Sequence, residues 1–184
     1  MGRAADEIVD YYTEPYGRRP PPSLHTGRGV DEPVDVLGQP GLLTTVPPAG
    51  PSLLSPATAA GWVHYRVPLG PAWPVLAIVA RQAIGVGVVR HAGRFRTGNR
   101  AFDSRYRVSH PGVAPAMLAR LVDPRVQDAL CASDRVRFVR MERVLWIQYA
   151  LRSAQDDPAE ARRYVVRLAE TLLRSPALPL GRGA

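Results

Sequence analysis

Residues 93–108, GRFRTGNRAFDSRYRV, hold five arginines around Phe95, Phe102 and Tyr106. Gly98-Asn99 at the centre is a dipeptide that favours a two-residue hairpin loop. Folded about that loop, Phe95 faces Phe102 and Arg94 faces Asp103. One face then carries an aromatic pair and the other an ion pair. Phe102, Ser104, Tyr106 and Val108 continue the inward face, and Asp103, Arg105 and Arg107 point outward. A rival reading starts a short helical turn at Asn99, with Phe102 and Tyr106 four apart on one side. The hairpin is the expectation taken forward.

On either side of this stretch, apolar patterns imply a sheet. Trp62–Val67 reads as a strand bounded by Gly61 and Pro68, and His64 shares a strand face with Trp62 and Arg66. Val75–Ala80 is a continuous apolar run that suits a central strand. Ile84, Val86 and Val88 alternate with glycines as a further strand, with a break or bulge expected near Ala92-Gly93. Val113–Leu121 has a helical apolar face. Asp123-Pro124 is a cap and first-turn proline that restarts a helix through Ala129–Cys131. Val136–Val139 and Val144–Tyr149 are strands flanking Met141–Arg143. Asp156-Asp157-Pro158 opens a long amphipathic helix with Ala161, Val165, Leu168 and Leu172 on its apolar stripe.

The fold class expected from this order is α+β. An antiparallel sheet of about five or six strands carries two helical elements on one face, and a Pro-rich irregular arm precedes it. Residues 13–60 contain ten prolines and six glycines, a third of that segment, which marks irregular chain. Residues 1–60 are therefore read as the arm, with a possible short helix near 4–12 carrying Ile8, Tyr11 and Tyr12. Residues 61–176 are the globular domain and 177–184 a loose tail.

The run 101–108 (AFDSRYRV), the leucine-rich Leu118–Val122 followed by Asp-Pro, the strand Val144–Ile147 and the closing helix together resemble an uncharacterised actinobacterial family. Its members share an F-D-x-x-[FY]-x-V core. The likeness covers about residues 62–176 and implies no activity.

Charge narrows the functional classes. The chain has 184 residues and a net charge of +8, and all 24 basic residues are arginine. Codon bias of a GC-rich genome explains the absence of lysine; the planar two-point grip of guanidinium on carboxylates and phosphates is the functional alternative. Residues 1–60 balance to −3 and residues 61–184 to +11, a separation found in self-associating and partner-masking proteins as well as in nucleic-acid binders.

Catalytic and cofactor signatures do not assemble. Asp103, Ser104 and His110 are near in sequence, but no G-x-S-x-G turn presents the serine. His25, His64, His91 and His110 lack zinc spacing. Cys131 is single and reads as a small buried group. Gly85-Val-Gly87 is followed by Arg90 where a dinucleotide fingerprint needs glycine. No enzyme, cofactor or metal is expected. The N-terminal MGRAADEIVDYY is acidic early and does not read as a secretory signal. The apolar run 67–80 has 14 residues and three prolines, short of the roughly 20 that cross a bilayer. A cytoplasmic protein is expected.

The remaining candidate is a contact surface made by Arg94, Arg96, Arg100, Arg105 and Arg107. The leading reading is a non-enzymatic protein-interaction or regulatory module that meets an acidic protein partner or a second copy. The alternative is a nucleic-acid-binding protein that uses an arginine-rich sheet face. That reading needs exposed aromatics for stacking or a recognition helix, and Phe95, Phe102 and Tyr106 are expected to point inward.

Overall fold

The computed structural model describes residues 29–48, 61–69, 73–81, 95–110 and 112–174. Their centre is an antiparallel sheet of seven strands: β1 (Val30–Val36), β2 (Gln39–Val46), β3 (Gly61–Pro68), β4 (Leu76–Ala80), β5 (Tyr106–Ser109), β6 (Val136–Met141) and β7 (Val144–Leu151). The spatial order is β1-β2-β3-β7-β6-β4-β5. Four helices are described: α1 (Arg100–Arg105), α2 (Pro115–Leu121), α3 (Pro124–Cys131) and α4 (Pro158–Leu173). The α+β class thus stands, with a sheet one strand larger than expected.

Period-two alternation sorts the side chains. Leu43, Tyr65, Ile147, Val139, Ile78 and Val108 are register partners in one row across six strands. This row, together with Val63, Val67, Leu145 and Met141, forms the core under the helices. Helix α4 lays Ala161, Val165, Leu168 and Leu172 onto it, as the apolar stripe predicts. Its start follows the Asp-Pro signal: Asp157 accepts from the Ala159 N–H at 2.8 Å and Pro158 takes the first turn. Asp123 caps α3 in the same way, accepting from Val126 N. Tyrosines tie the layers together. Tyr106 on β5 donates to the Leu130 carbonyl at the end of α3, and Tyr164 on α4 donates to Ala129 O on the same helix.

Two expectations are corrected. The first concerns the irregular arm, because residues 30–46 inside it form β1 and β2, the hairpin at one sheet edge. Leu37 and Gly38 turn that hairpin with φ of 57° and 76°, and Asp35 accepts from Gly38 N. The prolines that suggested irregular chain are tolerated by position. Pro33 sits on the edge strand, and Pro40 precedes the part of β2 that pairs with β3, which begins at Leu42. The second concerns the Gly98-Asn99 hairpin. Gly98 has φ of +84°, but Asn99 is extended and caps α1, its Oδ1 accepting from Ala101 N and Phe102 N. The rival helical turn is the one formed. Phe95 bridges Val108 rather than Phe102, and Ser104 is exposed rather than inward. Phe102 and Tyr106 are buried and stack at 5.3 Å between centroids.

The strand expected at Ile84–Val88, the break near Ala92-Gly93, the helix near 4–12 and the tail 177–184 lie outside the described residues.

Candidate interaction surface

The four described arginines of the five singled out in the sequence do not share one hairpin face. Arg94 lies outside the described residues. Arg100 and Arg105 stand at the two ends of α1, and Arg105 donates to the Cys131 carbonyl at 2.8 Å. Arg96 and Arg107 are opposite in register instead. The antiparallel bridge of Phe95 to Val108 puts the next residue, Arg96, beside Arg107 on the outer side of β5. Both are exposed, and neither has an acidic partner among the described residues. Like charges directly across two strands oppose folding, and the described residues supply no acid that offsets the pair.

The pairing expected between Asp103 and Arg94 lies outside the described residues, and Asp103 has a task of its own. Its two oxygens accept from Thr97 N, Thr97 Oγ1 and Gly98 N, each at 3.1 Å. It pins the loop that carries Arg96 onto the first turn of α1. Ser104 donates its hydroxyl to Ala101 O, so Asp103, Ser104 and His110 do not converge. Burial pushes the Cys131 thiol up from its ordinary range. No group of three His, Cys, Asp or Glu side chains that could hold a metal occurs among the described residues. None of their helices is long and apolar enough to cross a membrane. His25, His91, Gly85 and Gly87 lie outside the described residues.

Arg107 begins a row that crosses the sheet on the face opposite the helices. Its register partners in turn are Val79, Phe138, Gln148, His64 and Thr44. Three of these are buried polar residues: Thr44, His64 and Gln148. The adjoining row runs Ser109, Ala77, Arg140, Trp146, Arg66 and Leu42.

The aromatic and charged side chains here are interlocked. Trp146 Nε1 donates to His64 Nδ1 at 3.1 Å, which puts the proton of the neutral imidazole on Nε2. The Arg66 guanidinium lies 5.3 Å from the Trp146 ring centre. Phe138 meets the same indole edge-on at 4.7 Å. Arg140 is paired with Glu142 at 2.6 Å. The placement of His64 with Trp62 and Arg66 was legible from alternation on one strand. The role of Trp146 was not, because it lies 82 positions beyond His64 and nothing local sets the register of β7 against β3.

No protein-family model matches the chain, and no curated relative matches it. The crystal structure of the mycobacterial trehalose monomycolate transport factor A is similar to it at a TM-score of 0.46 and 15% identity, over 84% of this chain and 77% of that one.

Proposed function

We propose that this protein is a non-enzymatic interaction module that holds an acidic protein partner against the arginine edge of its sheet. The observation that carries the reading is the register that sets Arg96 opposite Arg107 with no acid paired to either among the described residues. A carboxylate from outside would relieve their repulsion and receive two guanidinium forks at once. The basic balance of residues 61–184 would steer such a partner before contact.

Affinity capture from nuclease-treated extract of the native host tests this, with the wild type compared against Arg96→Glu/Arg107→Glu. The expected result is an acidic protein recovered by the wild type and lost from a variant that still unfolds cooperatively. Recovery of the same proteins by both forms would remove the reading.

A second reading, single-stranded nucleic acid, is favoured by one observation. Trp62, Phe138 and Trp146 share a sheet face with Arg66, Arg107 and Arg140, and aromatics with cations are the ingredients of a stacking platform. Gel shifts with single-stranded and duplex oligonucleotides at about 50 and 200 mM salt separate the two, because phosphate binding weakens steeply with salt. The absence of a shift at the lower salt rules this reading out.

A further inference from the structure

At the far end of the sheet from Arg107, six strand spacings or roughly 29 Å away, a groove of about 530 Å³ opens between β1 and α4. Its floor is apolar, made by Val34, Leu43 and Val166. Arg162, Arg163 and Arg167 line it on the α4 side. Glu32, the single acid on its wall among the described residues, is committed to Arg162. The register places Asp31 and Asp35 on the other face of β1. Arg163 is held only loosely, 3.8 Å from Asp157 with both side chains more than half exposed. Arg167 has no ion pair among the described residues. Two guanidiniums one helical turn apart therefore stand over an apolar trough, neither held in a close ion pair among the described residues.

We infer that this groove is a second docking site and that its occupant is an acidic amphipathic helix of a partner protein. Charge complementarity sets the sign: carboxylates four residues apart on a helix are separated by about 5–6 Å at Cβ, the spacing of Arg163 and Arg167 themselves. Apolar side chains on the same face would reach Val34, Leu43 and Val166. An added strand is disfavoured, because Pro33 interrupts the outward donors of the β1 edge and the strand carries three acids.

The full-length protein is titrated against a fluorescein-labelled, hydrocarbon-stapled helical peptide of about 15 residues, since shorter free helices are marginal in water. The peptide carries glutamates four apart and leucines on the same face. The expected result is saturable anisotropy at about 50 mM salt, weakened about tenfold or more by Arg163→Glu/Arg167→Glu. Arg96→Glu/Arg107→Glu is expected to leave this affinity unchanged, which separates the groove from the sheet-edge site. Three kinds of result overturn the inference. One is no binding of the peptide. Another is equal loss in both double variants, or equal binding when the leucines are replaced by serine, since either means general attraction of a polyanion. The third is a concentration-dependent dimer that the Arg163/Arg167 variant abolishes while the peptide fails to bind, because the groove then serves a second copy of this chain.

Discussion

Asp103→Ala probes the small structure that sets Arg96 in place. In the wild type, one carboxylate accepts three hydrogen bonds at 3.1 Å, two from Thr97 and one from Gly98. A hydrogen bond to a charged group contributes about 1.5–3 kcal/mol when well buried. Here Gly98 is exposed and Thr97 half-buried, so about 0.7–1 kcal/mol for each bond is appropriate, and the loss should be about 2–3 kcal/mol. Asp103→Asn keeps one oxygen acceptor and should lose about half of that. Urea unfolding at neutral pH measures both. The midpoints should fall in the order wild type, Asn, Ala with an unchanged slope, because the same surface is exposed on unfolding. Hydrogen exchange at the Thr97 and Gly98 amides should quicken in the alanine variant. A cost below about 0.5 kcal/mol for Asp103→Ala, the range of an ordinary surface change, would refute the reasoning. So would an asparagine variant less stable than the alanine one.

Other perturbations follow from the same geometry. Gly41→Ala should destabilise by about 1–3 kcal/mol in thermal or urea unfolding, because a Cβ there would lie 2.7–2.8 Å from the ring and hydroxyl of the buried Tyr65; a neutral result would mean β2 can shift away from β3. Acid should loosen the β7–α4 connection. Asp156 is lowered from 3.8 to about 2 by Arg135, whose guanidinium lies 2.5 Å away, and by the backbone N–H groups of Arg152 and Ser153. A depressed carboxylate stabilises the fold above its unfolded value near 4 and loses that contribution as pH falls toward 2. Arg135 is a third exposed, so about 1 kcal/mol is expected. Asp156→Asn should flatten the stability profile between those two pH values by that amount, and a profile unchanged by the substitution contradicts the assignment.

The sequence carried most of the interior and little of the surface. Helices α3 and α4 were legible because an Asp-Pro step marks each start and an apolar stripe follows at helical spacing. Strands β3, β4, β6 and β7 were legible as apolar runs. Strands β1 and β2 were missed because an edge hairpin needs few apolar residues. Only Val36 of β1 is buried, and proline is read locally as a breaker although its position on an edge makes it harmless. The turn at 98–99 misled because glycine followed by asparagine fits two structures. A type II′ turn, the primed turn that Gly-Asn suits, needs positive φ at the glycine and ψ near 0° at the asparagine, whereas Asn99 has ψ of 107°, its side chain gaining two backbone donors by staying extended and capping α1. The sequence cannot choose between these, because the choice depends on Phe102 and Tyr106 finding α3.

The candidate surface shows the same limit. Its arginines were visible as a cluster, but their grouping was not. The pairing of Arg96 with Arg107 rests on the bridge from Phe95 to Val108, and the commitment of Arg105 rests on the end of a helix some 26 residues away.

The stability of Arg107→Glu, measured by urea midpoint at low salt, tests the arginine edge most directly. If Arg96 and Arg107 stand side by side without an acid, the substitution turns a repulsive cross-strand pair into an attractive one. The free protein should then gain about 0.5 kcal/mol, and the gain should fade at about 1 M salt as screening sets in. Equal or lower stability at low salt, with no dependence on ionic strength, would contradict the paired, unneutralised edge on which the proposed contact depends.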